Sequence, residues 1–247
     1  MGHNTLVDKY FDAVAEHRLY SSPDRLKFYL DHVFRGIDFE GASVLDIGCG
    51  AGLCSFYAAC SGAAKVISLE PEEAGSTAGV TSKYQKLANS LNLDQVTLQG
   101  ITLQEFDPGG QKFDIIILDD SVNHLDEDAC INLHRDPAAE ESYTKIFRQI
   151  YDMAADGAVL IITDASRYNI FPLFGLKNPM VPTIDWTVHQ SPTLWTRLLS
   201  NAGFSNPTVR WRSLNRFGPI GERLLGNKVA SFFLWSRFCL TMRKKAG

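Results

Sequence analysis

With 247 residues, 45% of them apolar and 21% charged, the chain has the composition of a globular protein able to bury its own core. Collagen-like, coiled-coil and disordered classes are excluded. Lys and Arg number 24 against 28 Asp and Glu, a net charge of −4, so no broad basic field exists and no nucleic-acid partner is expected.

The five cysteines (Cys49, Cys54, Cys60, Cys130, Cys239) form an odd set without a CxxC pair, which reads as reduced thiols packed like small hydrophobes. The first residues carry charges throughout and no apolar signal region, and no run of about 18 uncharged apolar residues occurs. A cytoplasmic chain without a membrane span is expected.

Helical spacing runs from Leu6 to Phe39, with Ser22 as N-cap and Pro23 at the first position of a second helix. Five apolar runs follow: SVLDIG (43–48), AKVISLE (64–70), QVTLQG (95–100), FDIIILDD (113–120) and GAVLIITD (157–164). Continuous apolarity suits strands buried on both faces of a parallel sheet. Helix-length segments lie between and after them: Gly52–Gly62, Ala78–Leu91, Glu127–Leu133, Glu140–Ala155 and Ser191–Ala202. Strands over Pro207–Ser213 and Ser236–Arg243 close the chain, and Arg243, Lys244 and Lys245 read as a solvated tail. The expected class is α/β: doubly wound, mostly parallel and seven-stranded, with helices on both faces and insertions after strands five and six. We read one domain, 1–247, with a helical lid over 1–40, a cofactor-binding core over 41–165 and a substrate-side segment over 166–247. Between the last two strands, 219–235 is crowded with apolar residues, but Glu222, Arg223 and Lys228 are sparse for a membrane-surface helix. A lid or dimer surface is the preferred reading there, and the chain is expected to be a monomer or homodimer.

The most informative stretch is VLDIGCGAG, Val44–Gly52. A buried strand ends at Asp46, and Gly48, Gly50 and Gly52 turn the chain into a helix where a ligand can approach the backbone. The spacing differs from the GxGxxG of dinucleotide folds, which disfavours a nicotinamide dehydrogenase. The next strand ends at Glu70, placed to accept hydrogen bonds from a ribose diol.

These residues resemble class I S-adenosylmethionine-dependent methyltransferases. VLDIGCGAG is similar to that family's first motif, SLEP (68–71) to its second, and FDIIILDD and MAADGAVLIITD to those of its fourth and fifth strands. The resemblance implies S-adenosylmethionine as cofactor. It places Asp46, Gly48 and Gly50 at the methionine part, Glu70 at the ribose and Pro71 beside the adenine, with Cys49 and Gly52 also among the cofactor-binding residues. Ile101 stands where the family often has Asp, leaving backbone near Ile101 and Thr102 for the adenine amine.

Methyl transfer to an activated acceptor is mainly a matter of alignment, and a base is needed where the acceptor holds its proton. The loop after strand four, with Asp119, Asp120, Asn123 and His124, lines the transfer site in the implied family. His124 is therefore a candidate base and Asp119 a candidate for cofactor or acceptor; Trp186, His189, Gln190 and Trp195 are candidate pocket walls, with His189 leaning to function. The competing reading of His124 is a surface residue at a helix start.

Asp119 and Asp164 end strands four and five, as in metal-dependent catechol-type O-methyltransferases, although Ala165 stands where those have Asn. Two oxygen ligands without a third leave Mg²⁺ as an alternative, and the leading reading uses no metal. That leading reading is a methyltransferase acting on oxygen, nitrogen or sulfur of a small molecule. A non-catalytic adenosylmethionine-binding partner protein is the other alternative; RNA or protein methylation would need a basic face or an NPPY-like motif, and LDDSVNH supplies neither.

Overall fold

The computed structural model describes residues 5–72, 79–214 and 217–246. They form two compact units, Met1–Asp119 and Asp120–Gly247.

In the first unit, helices α1 (Leu6–Glu16) and α2 (Pro23–Val33) precede strand β1 (Ser43–Ile47). Thr5 closes α1 with a capping box to Asp8. Ser22 caps α2 by position alone, since its hydroxyl makes no cap bond and Pro23 sets the first turn. Helix α3 (Leu53–Cys60), strand β2 (Lys65–Leu69), helix α4 (Val80–Leu91), β3 (Val96–Gln99) and β4 (Phe113–Asp119) follow. The start of the expected second crossover helix, Ala78, lies outside the described residues.

The strands run in the order β3-β2-β1-β4, and β1 with β2, β1 with β4 and β2 with β3 pair in parallel. Val44, Leu45, Val66, Leu69 and Ile115–Leu118 are buried, which is what unbroken apolar runs require. Because the order reverses at β1, the carboxyl ends of β1 and β4 form a switch point where α/β folds bind ligands.

In the second unit, a 3₁₀ turn (Val122–His124) and α5 (Glu127–Asn132) lead into α6 (Pro137–Met153) and β5 (Ala154–Ala165). Helix α6 begins earlier than its apolar spacing suggests because Asp136 caps it, accepting from Ala138 N–H at 2.9 Å, with Pro137 in the first turn. Helix α7 (Ile170–Leu173), a 3₁₀ turn (Trp186–Val188), α8 (Pro192–Ala202) and β6 (Ser205–Trp211) come next, then α9 (Gly218–Leu225), α10 (Lys228–Phe233) and β7 (Arg237–Arg243). The order is β5-β7-β6, with β7 antiparallel to both neighbours. Pro207 is tolerated because β6 is an edge strand with an irregularity between Ser205 and Thr208.

The seven expected strands are therefore present, and β7 is the one that runs against its neighbours. Two local expectations change. The 219–234 segment is broken at Gly226–Asn227 into α9 and α10. Lys244 is no tail residue: its Nζ donates to Tyr151 O and Ala154 O at 3.1 and 3.0 Å and lies over the Tyr151 ring. All five cysteines are buried and free. No helix among the described residues is long and apolar enough to cross a membrane.

Candidate active site

At the switch point of the first unit, Gly48 and Cys49 donate their backbone N–H groups to Leu69 O at 2.9 and 3.0 Å, which fixes the turn leaving β1 against the end of β2. Gly50 N–H donates to Glu70 Oε2 at 2.8 Å, and Glu72 N–H to Glu70 Oε1 at 3.1 Å. Glu70 thus clamps the glycine turn from the neighbouring strand tip. Gly50 has a left-handed φ of 52°, and the space a Cβ would fill there is open. Gly52 is left-handed too, but for packing: a Cβ would fall 2.6 Å from the Tyr84 ring.

Asp46 is fully buried. Its Oδ2 accepts from Ser55 Oγ at 2.5 Å, Ser68 Oγ donates to Ser55 Oγ at 2.8 Å, and Tyr84 OH donates to Ser68 Oγ at 3.1 Å. Its Oδ1 has no hydrogen-bond partner among the described residues. Burial, followed by the charges of Asp119 and Glu70, pushes its carboxyl up to about 7 against the Ser55 hydrogen bond. A buried carboxylate with one idle oxygen suits a ligand that brings positive charge.

Asp119, at the end of β4, accepts from the Tyr29 hydroxyl and from Cys54 Sγ at 3.5 Å. Tyr10, also from the N-terminal helices, donates its hydroxyl to Leu53 O at 3.0 Å. Burial pushes the Cys49 thiol well above its ordinary range, so that side chain is inert filler in the turn. Thr102 is committed elsewhere, since its N–H and Oγ1 both donate to Glu105 Oε2 at 2.9 Å. Ile101 and Pro71 are half-buried.

The second unit carries its own polar constellation. Asp164, at the end of β5, is fully buried, and His189 Nδ1 lies 2.7 Å from its Oδ1. Ala165 N–H donates to the same oxygen at 2.6 Å, and Trp195 Nε1 donates to Oδ2 at 3.1 Å. Trp195 is held by Tyr143 and Phe147, with ring centroids 5.1 and 5.8 Å away.

The segment bearing His189 is stapled to α5. Cys130 Sγ donates to Val188 O at 3.0 Å, and Gln190 Nε2 donates to Cys130 O at 2.5 Å. With Nδ1 directed at the carboxylate, the tautomer that donates there leaves Nε2 as the ring's acceptor, and Nε2 has no described partner. His124 is different: it is 46% exposed and its Nδ1 pairs with Glu127. Its Nε2 lies 3.3 Å from Asn123 Nδ2. Tyr143 OH fixes that loop by donating to Val122 O at 3.0 Å.

Asp46, Gly48, Cys49, Gly50, Gly52, Glu70 and Asp119 are thus gathered in one unit, and Asp164, His189, Gln190 and Trp195 in the other. Among the described residues, no cluster of three or more His, Cys, Asp or Glu is arranged to hold a metal ion. Sequence reasoning missed Tyr29, Ser55, Ser68, Tyr84 and Cys130. Only the inward position of Ser68 on a buried strand could have signalled a partner for Asp46.

Comparison with known proteins gives a match to a family model described as a methyltransferase domain, over residues 14–209. The chain is 30% identical over 112 residues to a ubiquinone biosynthesis O-methyltransferase of Rhizobium rhizogenes, covering 42% of each chain. It is 36% identical over 86 residues to the Rhizobium etli protein of the same name, covering 35% of this chain and 32% of that one. The chain thus matches less than half the length of these curated relatives. The structure of an S-adenosylmethionine-dependent methyltransferase from Mesorhizobium loti matches with TM-score 0.56 and 13% identity, covering 84% of this chain and 93% of that one, a likeness of fold. The open glycine turn, the idle Asp46 oxygen and the acid at the tip of β2 fit an adenosyl cofactor carrying positive charge. The chain belongs to the methyltransferase-domain family.

Proposed function

We propose that the enzyme methylates a hydroxyl oxygen of a small molecule, with His189 as the proton acceptor. The observation that carries this reading is the buried Asp164–His189 pair, in which a carboxylate fixes the ring through Nδ1 and leaves Nε2 able to take a proton. The name of the two rhizobial relatives, O-methyltransferase, supports oxygen as the acceptor atom.

Bound S-adenosylmethionine supplies a methyl group already activated on a sulfonium, so the protein's work is alignment and proton removal. Asp46 and Glu70 would hold the positively charged and diol parts of the cofactor, beside the backbone of Gly48–Gly50. Asp119, tied to Tyr29 and Cys54, borders the same site. Asp164 keeps the His189 ring in one tautomer while Nε2 accepts the acceptor's hydroxyl proton. The Trp195 indole and the Ala165 amide neutralise the rest of the Asp164 carboxylate. A carboxylate so engaged is a poor metal ligand, which favours this reading over the Mg²⁺-assisted one.

The test is single-turnover methylation of hydroxyl, amine and thiol acceptors. Transfer to hydroxyls is expected, lowered about 10²–10⁴-fold in His189→Asn with affinity for adenosylhomocysteine unchanged. An active His189→Asn together with an inactive His124→Asn overturns the assignment in favour of His124.

A further inference from the structure

The second unit exposes large apolar side chains in two stretches of chain. Leu173, Phe174, Leu176, Ile220, Leu224 and Val229 are each 60–75% exposed. Outside 168–176 and 217–233, the exposed large hydrophobic residues among those described are Leu6 and Val209, and both are less open, at 46% and 37%. Apolar exposure gathered in this way marks an interaction surface rather than scattered surface residues.

The two contributing stretches are locked side by side. Asn178 Nδ2 donates to Leu234 O at 2.5 Å, and Asn169 Nδ2 donates to Ser236 Oγ at 2.9 Å. Ser236 Oγ in turn donates to Tyr168 O at 2.8 Å. Asn169, Asn178 and Ser236 are all buried, so the chain around α7 is pinned to the chain that leaves α10.

Charge says what this platform meets. Residues 166–184 and 217–236 contain Arg167, Lys177, Arg223 and Lys228 against Glu222 alone, in a chain whose net charge is −4. Glu222 is turned inward, accepting from Ser213 N–H at 3.1 Å. Lys177, Arg223 and Lys228 are exposed and form no ion pair with a described residue. An apolar face with a cationic rim on an acidic protein is complementary to an anionic lipid surface, where apolar side chains enter the acyl boundary and cations meet headgroups. A water-facing lid would gain nothing from the apolar exposure, and a symmetric self-contact would bring the cations together.

We propose that residues 168–177 and 217–233 form a docking face for a bilayer carrying anionic phospholipids. Sparse charge along 219–235 argued against a membrane role for that segment alone; the second stretch supplies the missing apolar area and cation. The proposal does not depend on the identity of the methyl acceptor.

The test is co-sedimentation of the full chain with phosphatidylcholine vesicles, with and without phosphatidylglycerol. Binding is expected to the anionic vesicles, to weaken with salt, and to be slight on pure phosphatidylcholine. Phe174→Ser and Ile220→Ser should each lower it about tenfold, and Lys177→Gln and Lys228→Gln about fivefold each. All four positions are exposed, and unchanged adenosylhomocysteine affinity and thermal melting check folding in each variant. No binding of the wild type to anionic vesicles overturns the proposal, as does equal binding by the four variants. So does a concentration-dependent dimer that Phe174→Ser dissociates in the absence of vesicle binding.

Discussion

Buried Asp46 is a liability to the folded protein, and the size of that liability can be worked out. Its carboxyl is fully buried, keeps one oxygen without a partner, and is pushed up to about 7 from an ordinary 3.8 by burial first and then by Asp119 and Glu70. A raised value in an acid means that the folded state holds the proton more tightly than the unfolded chain. The cost is absent below 3.8, grows with rising pH between 3.8 and about 7, and is constant above. At about 1.36 kcal/mol per pH unit, ionised Asp46 destabilises the free enzyme by about 4 kcal/mol above neutrality.

Asp46→Asn removes this titration. The variant's stability relative to wild type should therefore rise by about 2.5 kcal/mol between pH 5 and pH 8. Urea unfolding of both proteins, free of cofactor, at the two pH values measures this directly. The comparison cancels the constant loss of about 1–3 kcal/mol from an unpaired amide donor in the variant. A difference that stays the same at both pH values refutes the reasoning. Cofactor affinity gives the converse: positive charge brought to Oδ1 favours the carboxylate, so wild-type affinity for S-adenosylmethionine should rise with pH up to about 7 and flatten above it.

Glu70→Gln should weaken adenosylhomocysteine binding about tenfold to a hundredfold in a folded protein, because a charge-assisted acceptor is lost; calorimetry showing unchanged affinity would remove Glu70 from the ribose. Chelation should leave turnover intact, since both Asp164 oxygens are occupied by His189, Ala165 and Trp195, and activity lost to chelator and restored by Mg²⁺ would reinstate the metal reading. If α1 and α2 act as a lid through Tyr10 and Tyr29, adenosylhomocysteine should slow amide exchange in residues 6–33, and identical exchange with and without it would dismiss the lid.

The parts of this enzyme that read directly from sequence are those specified by neighbours in the chain. Strands β1, β2 and β4 announce themselves because burial on both faces demands unbroken apolar runs, and the glycine turn because backbone conformation is a local property. Helix α8 is equally local, with Ser191 accepting from Leu194 N–H at 3.2 Å and Pro192 in the first turn. Where pairing is distant, the sequence is mute. Ala154 and Ala155 are good helix formers, yet they belong to β5, as the strand's pairing with β7 is non-local. The buried relay from Tyr84 to Asp46 joins residues on four elements, so no spacing rule exposes it. His124 drew notice by following a strand at short range, whereas His189 meets its carboxylate 25 residues away. Periodicity also reveals an apolar face without saying whether protein or solvent lies beyond it, which is why 219–234 could be read as a lid. The cofactor motif is a backbone shape and therefore legible, whereas proton transfer depends on side chains that only folding brings together.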